Sequence, residues 1–222
     1  ALRAALMALE VGPGDEVITA PNSDPTASAV ITNLGARPVW VDVEPDTLNL
    51  DPALVEAAIT SHTKGIVPIH LYGHPADMPA ILEIAARRGL WVVDDAAVAF
   101  GAEVGGRRVG AMGTASVFSH APSKQLAALG CAGSVTTNDA ALAERLRLFV
   151  SYGEPRDRTD GGRRGQHGQL LLATGMNERL DELQAAVLRA KLPYLDGWLE
   201  QRRANAAAYT AALAGTAIRP PA

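Results

Sequence analysis

Short runs of apolar and β-branched residues alternate along the chain with longer stretches in which apolar residues recur every three or four positions. The short runs predict strands at residues 16–19, 38–43, 65–70, 90–93, 114–119 and 133–137. The longer stretches predict helices at residues 1–9, 26–34, 52–59, 77–88, 139–150, 181–192 and 198–213.

Aspartate and glycine residues mark the ends of several predicted helices. Asp51 and Asp77 precede helices as N-caps, and Gly35 and Gly89 follow helices as C-caps. The apolar spacing also predicts which side chains face inward: Met78, Ile81, Leu82 and Ala85 in one helix, and Leu183, Val187 and Leu188 in another.

Strands that are apolar throughout and are separated by helices are typical of a parallel sheet covered on both faces. The pattern therefore predicts an α/β protein in three layers, with a mainly parallel sheet between two layers of helices. Right-handed crossovers place the carboxyl ends of parallel strands at one edge of the sheet, where ligands of such proteins bind.

Composition narrows the class of protein. A chain of 222 residues buries roughly 70% of its unfolded surface, so it needs no disulfide or metal to support a core. Its 48% hydrophobic and 20% charged residues exclude wholesale disorder. The net charge of −4 and the 5% of aromatic residues argue against a nucleic-acid partner.

The single cysteine, Cys131, excludes an intrachain disulfide framework and fits a reducing compartment, so a cytoplasmic location is expected. No apolar run approaches the roughly 20 residues that span a bilayer, so no membrane partner is expected.

Two adjacent acids, Asp94 and Asp95, follow the apolar strand 90–93 and therefore lie at the ligand-binding edge. A nucleotide-hydrolysing enzyme would also need a phosphate loop ending in Gly-Lys-Ser/Thr, which the sequence lacks. An acid that only caps the following helix is the structural alternative.

Lys124 is the second candidate for chemistry. Most loop lysines are solvated, but the neighbours of Lys124 are apolar or small, and a lysine that loses hydration suits Schiff-base chemistry. A lysine on one strand-end loop and an aspartate on another are what pyridoxal phosphate requires. His70 and His74 lie in a turn with no third ligand nearby in sequence, so no metal site is expected.

Residues 154–169 break the alternation with a dense mixture of glycine, arginine and aspartate. This segment is interpreted either as an anion-binding or lid loop or as a solvated loop of mixed charge.

Several blocks resemble the DegT/StrS-type sugar aminotransferases, which are pyridoxal-phosphate (PLP) enzymes of fold type I. They are Gly12-Pro13-Gly14-Asp15-Glu16-Val17-Ile18, Gly35-Ala36-Arg37-Pro38-Val39, His70-Leu71-Tyr72-Gly73, Asp95-Ala96-Ala97, Phe118-Ser119 through Lys124, and Asp181-Glu182-Leu183-Gln184-Ala185-Ala186. Their order and spacing make the resemblance specific, and it extends from residue 1 to about residue 210.

The resemblance implies a homodimer with a shared active site that transfers an amino group from glutamate or glutamine to a keto sugar linked to a nucleotide, or to a cyclitol. Such reactions serve polysaccharide or antibiotic biosynthesis. Lys124 falls on the Schiff-base lysine, Asp95 on the acid that pairs with the pyridine nitrogen, and Ser119 on a phosphate-binding serine. Asn177 falls on an asparagine that reaches the cofactor phosphate of the neighbouring subunit.

The sequence departs from the family pattern at several positions that are expected to lie close to the cofactor. Pro25 replaces an aromatic residue, Val98 a polar one, and Cys131 an acidic one, while Phe100 and His120 exchange the usual imidazole and aromatic types. The alternative to an aminotransferase is therefore a non-catalytic or fragmentary relative that folds and dimerises without turnover.

The resemblance also implies a division of the chain into domains. Residues 1–215 are expected to form the large cofactor domain without its N-terminal start. Residues 216–222 are expected to begin a smaller C-terminal domain.

Overall fold

The computed structural model describes residues 1–153 and 175–220. The strands are β1 (Glu16–Thr19), β2 (Arg37–Trp40), β3 (Thr63–Val67), β4 (Trp91–Asp95), β5 (Glu103–Val104), β6 (Arg107–Arg108), β7 (Ala115–Ser119) and β8 (Gly133–Thr136). The α-helices are α1 (Leu2–Ala8), α2 (Thr26–Asn33), α3 (Pro52–Ala58), α4 (Met78–Arg88), α5 (Ala140–Phe149), α6 (Glu182–Lys191) and α7 (Leu195–Leu213). Short 3-10 helices cover Leu71–Gly73 and Leu192–Tyr194.

Six strands form the main sheet in the order β2-β1-β3-β4-β7-β8, and β5 pairs with β6 in a separate hairpin. Within the main sheet, β2, β1, β3, β4 and β7 are parallel, and β8 runs antiparallel to β7. The mainly parallel sheet expected from the sequence is therefore confirmed. The antiparallel step follows from the direct return of the chain from β7 to β8 without a crossover helix.

Helices cover both faces of the sheet, as the three-layer prediction requires. Successive strand residues point to opposite faces, so Val17, Val67 and Val93 pack with α1, α2 and α5. Ile18 and Ile66, one position away, pack with α3 and α4. The centres of these strands are buried on both faces, which explains the runs of consecutive apolar residues such as Val17-Ile18, Ile66-Val67 and Val92-Val93.

Helix-end signals agree with the structure at the positions singled out in the sequence. The Asp51 Oδ1 accepts the Ala53 N–H at 2.9 Å, and the Asp77 Oδ1 accepts the Ala80 N–H at 3.2 Å. Gly89 ends α4 at φ 67°, a left-handed conformation that glycine adopts without steric cost.

Three expectations need correction. The strand predicted at 38–43 ends at Trp40, and beyond it only an isolated bridge pairs Val43 with Leu50. The strand predicted at 65–70 is β3, which ends at Val67, and beyond it an isolated bridge pairs Ile69 with Asp95. Leu183 does not face inward but is 68% exposed. The face of α6 that meets the rest of the chain carries Gln184 and Lys191, which bond to backbone groups, so Leu183 lies to one side of it.

Other expectations lie beyond what the structure tests. The arginine-rich segment 154–169 falls outside the described residues, and the division into domains at residue 215 stays a prediction. Within the parts of the chain that are described, no helix is both long and apolar enough to cross a bilayer.

A close contact inside the sheet generates a first prediction. A methyl group at Gly65 of β3 would overlap the indole ring of Trp91 on β4. We expect Gly65→Ala to lower the free energy of unfolding by about 1–3 kcal/mol, because the large ring has to move. Gly197 of α7 has open space around it, so Gly197→Ala should raise that free energy by up to about 1 kcal/mol. Urea unfolding of the two variants measures the contrast, and equal midpoints would contradict it.

Candidate active site

The end of β4 carries two acids with different surroundings. Asp94 is fully buried, and its Oδ1 accepts the Ser116 Oγ–H at 2.7 Å from the neighbouring strand β7. Its Oδ2 lies 3.3 Å from the Nε2 of His70. The Nδ1 of His70 accepts the Ala76 N–H at 3.1 Å, so Nε2 carries the proton and donates to Asp94.

Gly113 explains how the Asp94 carboxylate fits into this space. A Cβ at residue 113 would stand 2.6 Å from the Asp94 Oδ1 and 2.7 Å from the Val92 carbonyl oxygen. A side chain there would displace the carboxylate, so the close approach requires glycine. Asp94 is therefore a structural residue and not a ligand-binding one.

Asp95 points to the opposite face of the sheet, where a cavity of about 490 Å³ opens beside α1 and α2. Its Oδ1 accepts the Ala97 N–H at 3.0 Å, and its carboxylate lines the cavity together with Thr26, Ser119 and Cys131. A volume of this size suits a small-molecule cofactor.

Burial raises the pKa of the Asp95 carboxyl above its ordinary value. The Ala97 N–H and the positive charge of Lys124 oppose this effect, and the negative charge of Asp24 adds to it. Asp95 is thus an acid held in a site with too little positive charge around it. Such a carboxylate favours a cationic N–H partner.

Lys124 lies on the same edge of the sheet, in the loop between β7 and β8. Its side chain is half-buried, and its charge acts on both Asp95 and Asp24. The Lys124 N–H donates to the Ala121 carbonyl at 2.9 Å. The structure therefore brings the predicted lysine and the predicted aspartate to one end of the sheet.

Ser119 and Asn177 occupy different positions around this edge. Ser119 ends β7, lines the cavity with Asp95, and its Oγ accepts the Ala121 N–H at 3.4 Å. Asn177 is exposed and lines a neighbouring cavity of about 840 Å³, which shares Gly133 and Glu178 with the first. The structure thus groups Ser119 with Asp95, whereas Asn177 stands apart from them.

Sequence reasoning missed the interactions that hold these residues. The sequence does not separate the roles of Asp94 and Asp95, although the available signal is that consecutive strand residues face opposite sides of the sheet. It gives no role to His70, which bonds to Asp94 in the structure. Outside residues 154–174, no group of three histidine, cysteine, aspartate or glutamate side chains could hold a metal.

Comparison with known proteins identifies the family. A family model described as the DegT/DnrJ/EryC1/StrS aminotransferase family matches residues 1–221. The chain is 49% identical over 210 residues to the pleiotropic regulatory protein of Geobacillus stearothermophilus, an alignment that covers 95% of this chain and 54% of that protein. It is 46% identical over 215 residues to dTDP-3-amino-3,4,6-trideoxy-alpha-D-glucose transaminase of Streptomyces venezuelae, covering 97% of this chain and 54% of the transaminase.

A solved structure shows the same fold. The crystal structure of S. venezuelae DesV in complex with a ketimine intermediate matches with a TM-score of 0.86 and 44% identity, covering 99% of this chain and 58% of DesV. The chain spans about half the length of the curated relatives it matches.

The contrast between the two acids generates a second prediction. Because the folded state raises the pKa of Asp95, ionised Asp95 destabilises the unliganded fold at neutral pH. We expect Asp95→Asn to raise the unfolding midpoint at pH 7. The gain should shrink as the pH falls through the raised pKa of Asp95, since the folded protein then takes up the proton, and vanish below the ordinary aspartate pKa of about 3.8.

Asp94→Asn is the matched control. It should lower the unfolding midpoint, because an amide cannot accept with both former oxygens from Ser116 and His70. Urea unfolding at several pH values measures both effects, and a destabilising Asp95→Asn at pH 7 would contradict the assignment.

Proposed function

The chain belongs to the DegT/DnrJ/EryC1/StrS aminotransferase family, and we propose that it contains the cofactor site of a PLP-dependent aminotransferase. The observation that carries the proposal is the meeting of Lys124 and Asp95 at one edge of the sheet, beside a cavity of about 490 Å³. We further propose that residues 1–215 form the large domain of this enzyme.

The acceptor in this proposal is a keto sugar linked to a nucleotide, or a cyclitol, and the donor is glutamate or glutamine. Support for the sugar comes from the S. venezuelae relative, which is named as a transaminase of a dTDP-linked amino sugar. Sugar or antibiotic biosynthesis is the corresponding cellular role.

The residues present fit PLP chemically. PLP needs an amine for its aldehyde, an anion for its pyridine nitrogen, and donors for its phosphate. Lys124 offers the amine, Ser119 a hydroxyl on the cavity wall, and Asp95 a carboxylate that lacks a strong cationic partner. The raised pKa of Asp95 is the observation that supports this fit, because a protonated pyridine supplies the missing positive charge.

When bound, PLP supplies an electron sink for the carbon that gains or loses the amino group. Asp95 would hold the pyridine nitrogen in its protonated form, and the low-polarity cavity would strengthen that ion pair. The Lys124 Nζ would serve as the general acid and base that moves a proton at the substrate carbon. The Ser119 hydroxyl would help to hold the phosphate.

The non-catalytic alternative gains no support from the site. Lys124 and Asp95 are both present, and neither Pro25 nor Val98 is among the residues that line the cavity. Pro25 occupies the N-cap position of α2 without a side-chain hydrogen bond, and the Val98 carbonyl oxygen accepts a hydrogen bond from the side chain of Gln125.

We also propose a homodimer with a shared active site in the cytoplasm. Leu129, in the loop that carries Lys124, is 69% exposed, and Leu183 on α6 is 68% exposed. The two lie on adjoining segments, since the Leu129 N–H donates to the Gln184 Oε1 at 2.8 Å. Exposed Asn177 is available to a neighbouring subunit, and the exposed free thiol of Cys131 fits a reducing compartment.

Trapping of the lysine provides a third prediction. The purified chain, incubated with PLP and then borohydride, should carry a stable adduct on the peptide that contains Lys124. Lys124→Ala should abolish the adduct, whereas Lys64→Ala, at an exposed position on β3, should retain it. Mass spectrometry of the digest identifies the modified lysine, and an adduct that survives in Lys124→Ala would contradict the assignment.

The proposed dimer provides a fourth prediction. Leu129 and Leu183 form the exposed apolar surface that we propose as part of the dimer interface. Leu183→Glu places a charge on this surface without changing the core, so it should shift the protein from dimer to monomer. Glu200→Gln on α7 changes one exposed charge and serves as the control. Light scattering at several concentrations measures the mass, and a monomeric parent chain would refute the dimer.

A further inference from the structure

The backbone of His120 makes hydrogen bonds across the loop that carries Lys124. The His120 N–H donates to the Ala132 carbonyl at 2.8 Å, and the Ala128 N–H donates to the His120 carbonyl at 2.8 Å. We call residues 120–132 the lysine loop. Its two ends are thus tied together at the end of the β7–β8 pair.

The imidazole of His120 makes two further bonds. Its Nδ1 lies 3.0 Å from the Leu126 carbonyl oxygen, and its Nε2 lies 3.0 Å from the Ser134 Oγ on β8. A carbonyl oxygen can only accept, so Nδ1 carries the proton, and in the neutral ring Nε2 accepts the Ser134 hydroxyl proton.

The ring has little freedom to adopt another orientation. It is 4% exposed and packs against Phe100, with the ring centroids 6.1 Å apart. Phe100 in turn packs against Phe118 of β7, at 5.1 Å. With both nitrogens bonded and the ring enclosed, His120 joins the lysine loop to the sheet.

Lys124 lies between the points at which this loop is held. On its N-terminal side, its own N–H bonds to the Ala121 carbonyl. On its C-terminal side, the side chain of Gln125 donates to the Val98 carbonyl, and Leu126 is bonded to His120. Val98 follows Asp95 by three residues, so these bonds set the backbone of Lys124 relative to Asp95.

We propose that His120 is a positioning residue for Lys124, acting through the Nδ1–H that it donates to the Leu126 carbonyl. This inference rests on the proposed function, because it concerns the lysine that would bind PLP. Loss of the donor leaves a buried carbonyl without its partner and frees the backbone two residues after Lys124. A displacement of about 1 Å at a reacting group can cost about 100-fold in rate.

The experiment compares variants that distinguish the packing of the His120 ring from its two hydrogen bonds. His120→Phe retains an aromatic ring beside Phe100 but removes both hydrogen bonds. His120→Asn places an amide N–H close to the position of Nδ1 and should restore the bond to Leu126. Ser134→Ala removes only the partner of Nε2.

Two measurements follow each variant. The first is the limiting rate of the borohydride-trapped Lys124 adduct at saturating PLP, with the half-saturating PLP concentration determined separately. The second is hydrogen exchange of the lysine-loop amides in the chain without PLP. Val55→Ala, at a fully buried position of α3, controls for a general loss of stability.

We expect His120→Phe to slow the limiting rate by about tenfold or more and to accelerate exchange at Lys124 and Ala128, with little change in half-saturation. His120→Asn should recover the rate to within about threefold, and Ser134→Ala and Val55→Ala should leave it near that of the parent.

A parent-like rate in His120→Phe would overturn the positioning role, as would equal slowing in His120→Asn or in Val55→Ala. A parent chain that forms no adduct on Lys124 would instead overturn the proposed function and, with it, this inference. The exchange measurement needs no PLP, so unaltered loop exchange in His120→Phe would refute the positioning role by itself.

Discussion

The hydrogen bonds of one buried carboxylate fix the edge of the sheet on which the site depends. Asp94 accepts from Ser116 on β7 and from His70 on the segment after β3, and none of the three side chains is more than 1% exposed. Burying any one of these groups without a hydrogen-bond partner would destabilise the fold by roughly 1–3 kcal/mol. The observed alignment of the strand ends satisfies all three groups, so the two bonds of Asp94 favour this register of the edge.

Because Asp94 is held in this way, the end of β4 has both a structural and a ligand-facing carboxylate. Because Asp94 is held on one face, its neighbour Asp95 must point to the other face, into the cavity. Backbone bonds reinforce the position, since the Asp95 N–H donates to the Pro68 carbonyl at 2.8 Å and the His70 N–H donates to the Asp95 carbonyl at 3.0 Å. The backbone of Asp95 is therefore rigid, although its carboxylate lacks a strong partner.

The sequence predicts the parts of this molecule that depend on local pattern. Apolar runs locate the central strands, and Asp51 and Asp77 mark helix starts, because strand burial and capping involve residues close together in the chain. It also predicts that Lys124 and Asp95 lie at one edge of the sheet, where the ends of parallel strands meet. It does not reveal the bond from Ser116 to Asp94, which joins residues that are 22 positions apart. Leu183 was misplaced for the same reason: the polar bonds that orient α6 are long-range.

Those long-range bonds have a common target, which is the backbone of the lysine loop. The Lys191 Nζ donates to the Ala127 carbonyl at 2.7 Å, and the Gln184 Oε1 accepts the Leu129 N–H at 2.8 Å, both from α6. The imidazole of His120 bonds to the Leu126 carbonyl from within the loop. A loop without secondary structure pays the full entropy of ordering its backbone, and side-chain bonds to successive backbone groups offset that cost. The site thus combines an aspartate whose backbone is held by the sheet with a lysine whose loop is held by side-chain hydrogen bonds. Because each of those bonds depends on one side chain, the position of the lysine loop is more sensitive to single substitutions than that of Asp95.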